Sequence, residues 1–130
     1  MDVVEMMPFA GVLGVELLDA AAAEVRARVA WDPSRCTAGG VLHGGVLMGL
    51  ADSAGALCAF LNLPEGATAT TTIESKTNFL RALREGYVEA VARPLHAGRT
   101  TIVVDTELRD PAGRLLARTT QTQAVIMGSR

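Results

Sequence analysis

Between positions 46 and 61 the chain carries a single charge, Asp52, within the run Val46-Leu47-Met48-Gly49-Leu50-Ala51-Asp52-Ser53-Ala54-Gly55-Ala56-Leu57-Cys58-Ala59-Phe60-Leu61. Drawn as a helix, this stretch is apolar on every side, so the helix is expected to be buried on most sides. A carboxylate in such a place is expensive unless it is paired or hydrogen-bonded. The run falls short of the ~20 residues that a membrane span needs, and its charge opposes insertion. It reads as the core helix of a soluble protein. Just before it stands His43-Gly44-Gly45, a candidate anion- or oxyanion-binding helix start. One carboxylate, one histidine and a glycine turn around a buried helix point to a catalytic site.

The rest of the chain frames that helix. Its 130 residues suit one domain, 1–130, large enough to bury a core without metals or disulfides. Apolar residues make up 49% and aromatics only 4%, so Val, Leu, Ala and Met must build the core. A formal net charge of -2, with basic residues scattered along the chain, gives no footprint for nucleic acid. Cys36 and Cys58 do not make a disulfide framework, and the expected setting is reduced and cytoplasmic. Asp2 and Glu5 stand where a secretory signal would be basic, so no such signal is expected.

Before the helix, residues 2–10 are expected to form a short helix and residues 12–20 a first strand. In 24–31, Val25, Ala27, Val29 and Trp31 alternate with Glu24, Arg26, Arg28 and Ala30, the period of a half-buried strand. Residues 20–23 form the turn between these strands, and 32–40 a loop. The long helix runs over 44–61 and stops at Asn62 and Pro64-Glu65-Gly66. A strand rich in Thr follows at 68–73, extending towards Phe79 or Leu80. Further strands are expected at 87–95, broken by Pro94, at 100–109, and at 115–126 after the turn Asp110-Pro111-Ala112-Gly113. Short connections imply an antiparallel sheet, so the class is α+β, with about six strands curved around one long helix. A second copy of the chain is expected to cover what the sheet leaves open.

The segment Gly40-Val41-Leu42-His43-Gly44-Gly45-Val46-Leu47-Met48-Gly49-Leu50-Ala51-Asp52-Ser53-Ala54 resembles the signature of hotdog-fold acyl-CoA thioesterases. It is most similar to the phenylacetyl-CoA thioesterase (PaaI-type) branch. The segment Ile73-Glu74-Ser75-Lys76-Thr77-Asn78-Phe79-Leu80-Arg81 resembles the strand after the helix in that family, and the order of elements matches over nearly the whole chain. The resemblance implies that Asp52 is the nucleophile or the general base, and that the Gly44 N–H polarises the thioester carbonyl. Thr37 stands where the family commonly has Asn or Gln, and offers a hydroxyl in place of an amide. A hydroxyl residue on the following strand falls near Thr72. Gly45 and Ser53 are candidate substrate contacts beside these residues. The implied substrate is an acyl-CoA with a small aryl or medium-length acyl group. No cofactor is implied beyond the coenzyme A of the substrate.

The chemistry suits these residue types. Thioester hydrolysis builds negative charge on the carbonyl oxygen, and free N–H groups at a helix start are preorganised donors for it. Glycine lets the substrate approach the backbone closely. Asp52 either attacks the carbonyl directly or activates water. Gly44 and Asp52 are separated by roughly 12 Å of helix rise. One thioester carbon must lie ~3 Å from both groups, which a single copy of this helix does not allow. Two antiparallel copies about a two-fold axis do allow it, with Asp52 of one chain facing Gly44 of the other. The expectation is a site shared across a homodimer, and by family analogy a homotetramer of two such dimers.

Other readings stay open at this level. His43 either caps the loop or orients the substrate carbonyl. Asp52 is either catalytic or a buried acid satisfied by Ser53 or by backbone groups. Arg81 and Arg99 are candidates for the coenzyme A phosphates, ahead of Arg84 and Arg114; each also reads as a solvated charge near a turn. His96 is expected at an exposed turn. Two histidines without clustered cysteines or carboxylates make no metal site. The competing functions are a non-catalytic acyl-CoA-binding or sensing module on the same fold, and a hotdog dehydratase or hydratase.

Overall fold

The computed structural model describes residues 2–128; Met1, Ser129 and Arg130 of the expected domain lie outside the described residues. Its elements are α1 (Val3–Met6), α2 (Pro8–Leu13), β1 (Glu16–Ala20), β2 (Val25–Ala30), α3 (Gly44–Phe60), β3 (Ala67–Phe79), β4 (Tyr87–Ala97), β5 (Thr101–Arg109) and β6 (Leu115–Met127). The strands form one six-stranded sheet in the order β1-β2-β4-β5-β6-β3, and every neighbouring pair is antiparallel. The α+β arrangement of a long helix on a curved sheet is therefore as expected.

Two sequence expectations need correction at the N-terminus. The single helix over 2–10 is two short ones, because Pro8 begins α2 at the position where its missing N–H costs nothing. The strand expected from residue 12 starts at Glu16, since Val12 and Leu13 belong to α2 and Gly14, at φ 79°, caps that helix in the left-handed region. A third correction concerns Pro94, which does not break β4. Strand β2 pairs with β4 only as far as Ala92, so Pro94 has β5 on one side and no donor to supply on the other. The pairing shifts register between Pro94 and His96, and His96 lies exposed at the end of β4.

Alternation sorts the sheet into two faces. Val25, Ala27, Val29, Val88, Ala90, Ala92, Ile102, Val104 and Leu108 point inward and are buried. On the outer face Arg26 pairs with Glu24 and Glu89, Arg93 with Glu24 and Glu107, and Arg118 with Asp105. Such exposed pairs contribute little stability each and mainly keep this face in water.

Helix α3 packs on the inner face with Val46, Leu47, Leu50, Ala51, Ala54, Gly55, Leu57, Cys58 and Ala59 buried. Each fully buried Leu or Val contributes about 1.5–3 kcal/mol. Burial also pushes the Cys58 thiol up to about 11. The helix is covered on most sides within one chain, as its composition implies, but not on all of them. Gly45, Met48, Asp52 and Phe60 form an exposed stripe along it, so Asp52 is open to solvent in the single chain. The curved sheet, with α2 adding a small lid at Gly49 through Leu13, leaves only this stripe open. No helix among the described residues is long and apolar enough to cross a membrane.

Candidate active site

The start of α3 is held by a short stapled loop. The Leu42 N–H donates to the Leu83 carbonyl at 2.9 Å, the His43 N–H to Arg35 at 2.9 Å and the Thr37 N–H to Val41 at 2.8 Å. Within the loop Gly39 and Gly40 take φ of 81° and 73°, the left-handed turn that glycine adopts without strain. The Trp31 indole donates to the Gly40 carbonyl at 3.0 Å and ties this turn to β2.

His43 is the N-cap of α3, and its Nδ1 accepts the Gly45 N–H at 2.8 Å. Nδ1 therefore carries no proton, and one of the free donors of the helix start is spent on the cap. The Gly44 N–H has no acceptor among the described residues. The ring of Phe79 lies over Gly44, where an added Cβ would sit 3.2 Å from it. A cavity of about 370 Å³ opens beside Gly44 and is lined by Thr37, Leu42, Leu47, Phe79 and Arg81 as well. The structure thus brings Arg81 beside Thr37 and Gly44, from which it lies far in sequence.

Asp52 stands elsewhere, two turns along the helix. Its Oδ1 accepts from the Thr72 hydroxyl at 3.3 Å and from Gln121 Nε2 at 3.4 Å. Among the described residues no donor reaches Oδ2. Ser53 does not satisfy Asp52, because its hydroxyl donates back to the Gly49 carbonyl at 2.8 Å. A second cavity, about 300 Å³ and mostly apolar, lies one turn further on between Met6, Met7, Ala56, Leu57, Phe60 and Thr70. Strand β3 reaches the two regions at different points, Thr72 at Asp52 and Phe79 at Gly44. That separation along a strand is about 20 Å. Within one chain the carboxylate and the free N–H do not meet.

Arg99 lies in the β4–β5 turn, at the sheet end where β3 begins, opposite the end that holds Gly44. Arg84 and Arg114 line a further cavity, about 490 Å³, at the β5–β6 turn. Arg114 is engaged there by Asp110 at 2.8 Å, and that cavity holds neither Asp52 nor Gly44. Among the described residues no cluster of three or more potential metal ligands occurs. Sequence reasoning missed Gln121 and Gln123. Their signal was present as polar residues at every inward position from Thr119 to Gln123, where a core strand would carry apolar ones.

Comparison with known proteins agrees with this arrangement. Residues 39–117 match the family described as Thioesterase superfamily. The chain is 34% identical over 114 residues to ComA2 of Bacillus subtilis, covering 88% of this chain and 90% of that one. It is 37% identical over 87 residues to the 1,4-dihydroxy-2-naphthoyl-CoA hydrolase of Escherichia coli, spanning 67% of this chain and 63% of that protein. A thioesterase of Haemophilus influenzae superposes with a TM-score of 0.86 at 31% identity, covering 92% of this chain and 82% of the other. The six-stranded sheet and its central helix are the hotdog fold of these relatives. The chain belongs to the thioesterase superfamily, and its activity is thioester hydrolysis.

Proposed function

We propose that the protein hydrolyses a small aryl or medium-chain acyl-CoA of the kind taken by PaaI-type thioesterases, at sites completed by two copies of the chain. In each site Asp52 of one copy faces the Gly44 N–H of the other. The observation that carries this reading is the pair of half-sites: a carboxylate with one free oxygen and, well removed from it, a helix start with a free N–H.

Brought together across a two-fold axis, the halves divide the reaction. The Gly44 N–H, aided by the helix dipole, stabilises the oxyanion as it forms. Asp52 either removes a proton from water, whose oxygen attacks the thioester carbon, or attacks that carbon itself to give an anhydride that water then opens. On either route the C–S bond breaks, the coenzyme A thiolate leaves and takes up a proton, and the acyl group departs as a carboxylic acid. The apolar cavity beside Ala56 suits a short aryl or alkyl group.

Dimerisation is supported by two exposed features. Strand β3 is an edge of the sheet, thirteen residues long, with Ile73 63% and Phe79 51% exposed. Long exposed edges carrying apolar residues are surfaces that proteins normally cover. Met48 lies bare on the stripe that also presents Asp52. We place the protein in the cytoplasm, where acyl-CoA thioesters and reduced cysteines occur together, and the assembly as a pair of dimers.

The test is thiol release measured across a panel of aryl- and alkyl-CoAs, with Asp52→Asn as control. D52N is expected to lower turnover about 10²–10⁴-fold on the best substrate while the melting temperature holds. Full turnover by a clean D52N preparation would overturn the role of Asp52.

A further inference from the structure

Two buried glutamines remain outside this mechanism. Gln121 and Gln123 sit on β6 beneath α3, and they are 0% and 1% exposed. Both lead to the same atom. Gln123 Nε2 donates to the Thr72 hydroxyl oxygen at 2.7 Å, which leaves the Thr72 proton free to point at Asp52 Oδ1, 3.3 Å away. Gln121 Nε2 donates to that same Oδ1 directly at 3.4 Å.

An ionised carboxylate only accepts hydrogen bonds, so Asp52 sets the orientation of the Gln121 amide. Nitrogen faces Asp52 and oxygen faces Gly55. The amide oxygen is buried without a partner. Helix α3 makes room for it with glycine, since a Cβ at position 55 would overlap the Gln121 amide. A methionine would fill the same space with no orphaned acceptor. Keeping an amide there destabilises the fold, and what it gains is one donor on Asp52.

We propose that Gln121 is a positioning residue for hydrolysis, and that Gln123 joins it through Thr72. Together they fix one carboxylate oxygen of Asp52 against rotation. The other oxygen is then presented to the water or thioester carbon arriving from the neighbouring chain. The inference rests on the reading of Asp52 as the reacting acid. Two long bonds to Oδ1 suit this role, because such contacts tighten when substrate closes the site.

The experiment replaces the donor and keeps the shape. Gln121→Met is expected to lower kcat about tenfold or more with KM unchanged within twofold. Its melting temperature is expected to stay level or rise, because the orphaned oxygen is gone. A purely structural glutamine predicts the reverse pattern, a lower melting temperature and normal kcat per folded molecule. That pattern, or an unchanged kcat, overturns the proposal. Thr72→Val and the double variant Thr72→Val/Gln123→Met supply a second readout that does not require Q121M to fold. Because Gln123 acts only through Thr72, the double variant should match T72V in kcat within twofold. A further loss in the double variant removes Gln123 from the proposal. If D52N retains full turnover, the reading of Asp52 fails. If D52N is inactive while Q121M is normal, only the positioning role fails.

Discussion

The two halves of the site solve opposite electrostatic problems. At the start of α3 the chain offers donors without an acceptor: a bare Gly44 N–H under the Phe79 ring, with Thr37 and Arg81 on the cavity wall. At Asp52 it offers an acceptor, held on one side by the Thr72 hydroxyl and the Gln121 amide and open on the other. The first half is built from backbone and needs only glycine and a stapled loop. The second is built from side chains on three different elements, α3, β3 and β6. A residue change in the loop region therefore acts by removing an N–H, whereas one near Asp52 acts by releasing a side chain.

Beside the loss expected of D52N, a comparably large effect should come from the backbone half. Gly44→Pro deletes the N–H at a position that helices readily give to proline. His43 already has the extended conformation, φ -62° and ψ 134°, that a following proline requires. The Phe79 ring is half exposed and has room to shift from the new atoms. Thiol release is expected to fall about 10²–10³-fold with the helix intact by circular dichroism. A G44P enzyme with normal kcat would take the oxyanion role away from this end of the helix.

A complementation experiment joins the two halves. G44P and D52N are each expected to be nearly inactive alone. In a mixed dimer one site carries both lesions and the other carries neither. Random mixing of equal amounts after refolding together should restore about a quarter of wild-type activity, since half the dimers are mixed and each has one good site. No recovery, with mixed dimers confirmed by mass spectrometry, would place Asp52 and Gly44 of one chain in the same site.

The smallest effect serves as a control outside both halves. Asp110 is buried in the β5–β6 turn, which by itself pushes its carboxyl up. Hydrogen bonds from the Arg114 backbone and guanidinium outweigh this and hold it below its usual value. The lowered folded pKa means that the ionised form stabilises the fold. This contribution is complete above the ordinary carboxylate range and is lost as pH falls through the folded pKa. Asp110→Asn should therefore lower the melting temperature at neutral pH by about a few degrees, with the gap to wild type closing in acid. Turnover should not change. Lost turnover in D110N would mean that the β5–β6 turn reaches the site.

Much of this was legible in the residues. Helix α3, the alternation of β2 and β5, the Asp110 turn and the separation of Gly44 from Asp52 all follow from local patterns that a single segment contains. The N-terminal strand was misjudged because Val12 and Leu13 suit a strand or a helix equally, and the left-handed Gly14 decides between them. Pro94 was misjudged because the cost of proline depends on which side of its strand has a neighbour, and strand order is not local.

Asp52 shows the boundary most clearly. The sequence by itself determined that a lone carboxylate lies on an apolar helix, two turns beyond a glycine start. Composition does not say which face a sheet will cover, so only the folded structure revealed Asp52 on the exposed stripe. Its partners were equally out of reach. Thr72 is 20 positions away and Gln121 is 69, joined to it by the pairing of β3 with β6 beneath α3. Hydrogen bonds of that span depend on strand order and register, which are properties of the whole chain.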